Sequence, residues 1–144
     1  NLGTIDRLIN LGVPLRSVAA TLQLLVSQRL VRRLCHCKEH TELAPEYAEY
    51  FRQAGLSTRN VCRPVGCRDC DGTGYAGRVA IFDLMVMNNS LRSTLEAENA
   101  TLSSIKAEIE REHGSSIMAY EGFKLVEAGI TSVEEVERVT LNLE

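Results

Sequence analysis

The 144 residues contain no tryptophan, three phenylalanines and four tyrosines, so aromatic side chains make up only 5% of the chain. A core must therefore be built from Leu, Val and Ile within an apolar fraction of 44%. Proline is scarce at three residues, and no apolar run approaches the ~18 residues that would cross a bilayer. These features exclude collagen-like, low-complexity and membrane-spanning chains. No signal-peptide pattern opens the sequence, and the expected compartment is a reducing cytosol. There, five cysteines, an odd number, point to metal or redox chemistry before disulfides. The length suits one compact domain.

Several catalytic signatures are also missing: Gly-x-x-x-x-Gly-Lys-[Ser/Thr], the Gly-x-Ser-x-Gly elbow and His-Glu-x-x-His. Charge is modest and asymmetric. The net charge is -3, with +4 in residues 1–95 and -7 in residues 96–144. Positive charge is confined to clusters such as Arg29, Arg32, Arg33 and Lys38, without the concentrated basic face of a nucleic-acid module. The acidic C-terminal part reads as exposed helix faces.

Along the chain, Ile5, Leu8 and Ile9 predict a short helix over 4–10, with Thr4 as a cap and Gly12 as the stop. Pro14 suits the first turn of a second helix through Val18, Ala19 and Ala20. Residues 22–31 read as a strand, with Leu22, Leu24 and Val26 on one face. Residues 35–76 hold all five cysteines and should be loop-rich apart from a helix near 45–54, lacking a core of their own. Residues 77–87 are apolar in both alternating sets, which predicts a strand buried on both faces and able to pair antiparallel with the first.

After Asn88-Asn89, stripes at Leu91/Leu95, Leu102/Ile105/Ile109 and Met118/Gly122/Leu125/Val126 predict three helices. Ser132 with Glu135 forms a capping-box pattern ahead of a fourth through Val133, Val136 and Val139. Gly114 and Gly129 fall where helices would end. His113 reads as a helix-end residue that complements the dipole, not as a ligand.

Cys67-Arg-Asp-Cys70 has the two-residue spacer that lets two thiolates grip one tetrahedral ion, with Gly66 and Gly72 freeing the surrounding turn. The other donors must come from Cys35-His36-Cys37, Cys62 or the nearby His36 and His40. Spacing alone suggests Cys37 with His40, because Cys37-Lys-Glu-His40 restores a two-residue spacer. A closed set of four protein ligands would make the site structural. Unmetallated buried thiols and a redox pair at Cys67 and Cys70 are the alternatives. Arg78 and Asp83, on the second strand, should be satisfied internally or contribute to a nucleotide pocket or subunit contact.

Separated motifs then occur in a telling order: Gln28-Arg29-Leu30-Val31-Arg32-Arg33-Leu34-Cys35, Cys37-Lys38-Glu39, Val65-Gly66-Cys67-Arg68-Asp69-Cys70, and Gly72-Thr73-Gly74-Tyr75-Ala76-Gly77-Arg78. With Gly129-Ile130-Thr131-Ser132 and Glu134-Glu135-Val136-Glu137-Arg138-Val139-Thr140, they resemble the C-terminal part of the ATPases that drive type II secretion and type IV pilus assembly. The resemblance covers essentially the whole chain.

It implies an α/β fragment: a strand pair from the C-terminal edge of a RecA-like domain, a loop-rich zinc-binding insertion, and a C-terminal bundle of about four helices. The implied divisions are 1–34 for the ATPase core, 35–76 for the tetracysteine subdomain and 77–144 for the strand and helical tail. The resemblance supplies Cys35, Cys37, Cys67 and Cys70 as ligands of a structural zinc, leaving Cys62 free, although the Cys35-to-Cys37 spacer is one residue shorter than in the family. It places the Walker and His boxes upstream of Asn1, so the piece itself should lack ATPase activity.

The parent would be a cytoplasmic homo-hexamer, peripheral to the inner membrane, that hydrolyses ATP with magnesium and acts on an inner-membrane platform protein and other secretion or pilus components. No nucleic-acid partner is implied. Two other readings start from the same residues: a chaperone-type zinc module, from Cys67-Arg-Asp-Cys70-Asp-Gly-Thr-Gly74, and a zinc-ribbon nucleic-acid binder using Arg59, Arg63, Arg68 and Arg78.

Overall fold

The computed structural model describes residues 2–113 and 117–140. Helix α1 (Leu2–Asn10) ends at Gly12, whose φ of +82° lets the Val13 N–H turn back to the Leu8 carbonyl. Thr4 lies inside this helix and not ahead of it. Pro14 caps α2 (Leu15–Thr21) from outside, its carbonyl accepting from Ser17 and Val18; a proline there gives up no donor that the helix needs.

Strands β1 (Leu24–Leu34) and β4 (Tyr75–Val86) form a two-stranded sheet. The Met87 N–H donates to the Gln23 carbonyl and the Cys35 N–H to the Gly74 carbonyl, so the strands run antiparallel. Between them lies α3 (Pro45–Ala54), with the bounds that the sequence suggests and Gly55 closing it at φ +71°. The excursion also holds a small ribbon that the sequence did not announce. In it, β2 (Glu39–His40) pairs antiparallel with β3 (Cys62–Arg63), Glu39 opposite Arg63 and His40 opposite Cys62.

Four helices follow: α4 (Asn89–Glu96), α5 (Leu102–His113), α6 (Ile117–Glu127) and α7 (Val133–Thr140). Asn88 caps α4, its side-chain oxygen accepting from the Leu91 N–H at 2.8 Å. Gly114 and the His113 side chain lie outside the described residues.

The chain forms two compact units where the length suggested one: residues 1–27 with 83–117, and residues 28–82 with 118–144. Their apolar residues segregate accordingly. The first unit is centred on Ile5, Val18, Ala19, Met85, Leu91, Leu95 and Ile105. The second has one cluster around Phe51, Val61, Phe123, Val126, Val133 and Val136 and a smaller one around Val31, Ile81 and Met118. Strands β1 and β4 each supply residues to both units. The four C-terminal helices are likewise divided, α4 and α5 in one unit and nearly all of α6 with α7 in the other.

Three expectations are corrected. Strand β4 is buried on one face only: Ile81 and Met85 point into cores, whereas Phe82, Leu84 and Val86 are 45%, 51% and 57% exposed. Among the described residues, no apolar side chain buries Phe82, Leu84 or Val86 as Ile81 and Met85 are buried. The segment 35–76 is not coreless, since its Phe51 and Val61 are fully buried against α6 and α7, with the Phe51 and Phe123 rings 5.7 Å apart. Lastly, the Ser132 and Glu135 side chains are engaged away from a capping box. Ser132 Oγ shares a 2.8 Å hydrogen bond with the Tyr75 hydroxyl, and Glu135 takes Arg32 and Arg138.

Candidate metal centre

The second unit brings four of the five cysteines together. Cys35 and Cys37 follow the end of β1, and Cys67 precedes and Cys70 ends a single 3-10 turn at Arg68–Cys70. That turn is possible because Gly66 and Gly72 adopt φ +109° and +76°, and a Cβ on Gly66 would fall 2.5 Å from the Gly72 carbonyl oxygen. Gly74 is equally constrained: its Cβ would meet Pro64 at 2.5 Å. The Cys35 N–H donates to the Gly74 carbonyl at 2.9 Å, tying the two halves together.

The four Sγ atoms lie within 4.8 Å of one another. Cys35 is 3.8 Å from Cys67, Cys37 is 3.9 Å from Cys70, and Cys67 is 3.8 Å from Cys70. A disulfide would need about 2.05 Å. A tetrahedral ion with metal–sulfur bonds of about 2.3 Å needs sulfur–sulfur edges of about 3.8 Å. The residues therefore fit a closed tetrathiolate site, with no fifth position for chemistry.

Electrostatics prepare one sulfur more than the others. The backbone N–H groups of Cys67 and Gly74 donate to Cys70 Sγ at 3.1 and 3.2 Å. The Cys67 amide, with help from that of Gly74, outweighs burial and brings the Cys70 thiol down to about 6. Burial pushes Cys67 up to about 12 and raises Cys37 as well. Cys37 and Cys67 therefore hold their protons more firmly than a free thiol until a cation compensates the charge.

His40 and Cys62, the other donors that the spacing offered, face one another across the β2–β3 ribbon, and neither joins a ligand cluster among the described residues. Cys62 is buried, its thiol donating to the Asn60 carbonyl. Sequence reasoning offered His36 as a donor but overlooked Asp69. Their ligand atoms and Cys67 Sγ make a second trio, also within 4.8 Å of one another.

Arg78 is exposed and forms no ion pair among the described residues. It lines a shallow groove of about 570 Å³ with Arg32, Thr73, Tyr75 and Gly77. The Arg32 guanidinium lies 4.1 Å from the Tyr75 ring centroid. The strand turns the Arg78 side chain to solvent. Asp83 is half-buried, again without an ion pair among the described residues.

A family model described as "Type II/IV secretion system protein" matches residues 1–138. The chain belongs to that family. Among curated relatives of the type II/IV secretion system family, it is 35% identical over 138 residues to the "Putative type II secretion system protein E" of Escherichia coli strain K12, covering 95% of this chain and 27% of that protein. It is 36% identical over 140 residues to "Type IV pilus assembly ATPase PilB" of Pseudomonas aeruginosa, covering 95% and 24%. To "Type II secretion system protein E" of Aeromonas hydrophila it is 32% identical, covering 96% and 27%. The chain thus spans about a quarter of the length of these relatives. No helix among its described residues is long and apolar enough to cross a membrane.

Proposed function

We propose that this chain is the C-terminal portion of a secretion or pilus-assembly ATPase, and that its own contribution is structural: a zinc-binding knuckle and a helical tail. The observation that carries the reading is the tetrathiolate geometry, with sulfur separations of 3.8 to 3.9 Å, in a chain of this family. Cys35, Cys37, Cys67 and Cys70 would hold the ion. When bound it supplies a neutralising charge and a cross-link between the ends of β1 and β4. The protein's residues do the rest: the two N–H groups stabilise the Cys70 thiolate, and Gly66, Gly72 and Gly74 allow the tight backbone approach.

The exposed Leu24, Val26, Leu84 and Val86 of the first unit support the further reading that the strand pair belongs to the edge of a RecA-like ATPase core. Such side chains are expected under neighbouring structure, not in water. The parent is then a homo-hexamer, cytoplasmic and peripheral to the inner membrane. It uses ATP with magnesium to act on a platform protein and other components of a secretion or pilus machine. Arg78, facing its groove beside Arg32, is suited to an anionic group such as the parent's nucleotide or a neighbouring subunit's carboxylate. The absence of a phosphate-cradling loop assigns no catalysis to this stretch.

The test is metal analysis with an activity assay. The purified chain should carry about one zinc and show background phosphate release. Magnesium-dependent turnover by the chain alone would overturn the structural assignment.

A further inference from the structure

Resting on the zinc reading above, we propose that His36 and Asp69 form, with Cys67, an outer landing site through which a divalent cation enters and leaves the tetrathiolate pocket. Cys35 and Cys70 are 2% and 6% exposed, so an ion arriving from water meets other donors first. At the mouth stand His36 and Asp69, whose side chains are 71% and 75% exposed, with Nε2 and Oδ2 3.5 Å apart. The one-residue spacer between Cys35 and Cys37 leaves His36 alone at the rim, its Nδ1 3.5 Å from Cys35 Sγ.

Cys67 belongs to both donor sets, and this sharing makes exchange possible. An imidazole nitrogen, a carboxylate oxygen and a thiolate can together hold zinc at about 2.0 to 2.3 Å. His36 and Asp69 would pass such an ion on by yielding their places to Cys35, Cys37 and Cys70 in turn, with Cys67 a donor throughout. Each thiol that joins releases its proton to water, while His36 and Asp69 return to solvent unchanged. Departure follows the same steps in reverse, so the pair accelerates loading and release alike and leaves the equilibrium untouched.

The experiment compares the unmodified chain with the His36→Ala/Asp69→Asn variant, each loaded with zinc and mixed with excess chromophoric chelator. Exposure of both side chains makes the variant's fold safe, and cobalt substitution checks that its four-sulfur spectrum persists. The expected result is one ion per chain in both proteins and an affinity unchanged within about twofold, with release and apo-protein loading each slowed about tenfold or more in the variant. Unchanged rates would overturn the proposal. So would weakened affinity with faster release, the result of removing a merely supporting contact. Absence of zinc from the unmodified chain would instead defeat the metal reading on which the proposal rests.

Discussion

Arg32 and Glu135, 103 residues apart in the chain, form a buried polar junction in the second unit. The Arg32 backbone N–H donates to Glu135 Oε1 at 2.8 Å, and its Nε and Nη2 donate to Oε2 at 2.9 and 2.7 Å. Arg138 adds two more donors from the next turn of α7, and Glu135 itself is 1% exposed. Burial opposes the carboxylate's charge, but the bonds from Arg138 and Arg32 outweigh it and hold its pKa down to about 2. The junction fixes α7 against the end of β1, one residue before Arg33-Leu34 lead into the metal centre.

Replacing Glu135 by alanine should cost about 2 to 4 kcal/mol, toward the lower end because both arginines can turn to water. Chemical denaturation would measure it; a change under about 0.5 kcal/mol would show that the junction is incidental. Because the folded pKa lies below the unfolded value near 4.3, this stabilisation is present above about pH 4.5 and is lost as pH falls toward 2. In Glu135→Gln that acid-dependent component should shrink.

Gly66→Ala and Gly74→Ala should weaken zinc binding without touching a ligand. Each would force a side chain into a positive-φ backbone and to within 2.5 Å of a neighbour, at a cost of about 1 to 3 kcal/mol. Gly12→Ala offers the comparison: its φ is also positive, but nothing lies within 4 Å of the new Cβ, and zinc affinity should be unaffected. Equal affinity for all three proteins, read by chelator competition, would contradict the backbone account of the knuckle.

Removing the metal should loosen the knuckle and spare the aromatic cluster. Phe51 and Phe123 remain packed by Val61, Val126, Val133 and Val136 whether or not the thiolates are bridged. Hydrogen exchange after chelation should therefore accelerate around residues 66–74 while protection persists in α3 and α6. Collapse of protection in both would show that the metal is the segment's main source of order.

Lysine at Val26 or Leu84 should change the stability of this chain by less than about 0.5 kcal/mol, because both side chains are about half exposed. In the proposed full-length parent the same substitutions should destabilise by several-fold more, since the face would be covered. Equal effects in both settings would remove the argument for a neighbouring core.

Much of this was legible in the sequence because it is local. Pro45 and Gly55 mark the ends of α3, and Leu91, Leu95, Ile105 and Val126 fall on helix stripes that are buried as their spacing requires. The cysteine motifs and the order of the flanking segments gave the family and a ligand set whose sulfurs lie together in the fold. What escaped is long-range. The pattern Ser132 to Glu135 looked like a capping box, yet both side chains are claimed by residues far upstream, Tyr75 and Arg32. An apolar run shows that a strand can be covered on both faces, not that both covers are within this chain, and so Phe82, Leu84 and Val86 were misread. Asp69 was passed over because its partner His36 lies across the loop, 33 residues upstream.

The most direct test of the central claim is zinc content per chain, measured on protein purified without chelator and on separate alanine replacements of Cys35, His40 and Cys62. The account predicts about one ion in the unmodified chain, its loss with Cys35→Ala, and its retention with His40→Ala and Cys62→Ala. Zinc that survives Cys35→Ala but is lost with His40→Ala or Cys62→Ala, or no zinc at all, would contradict it.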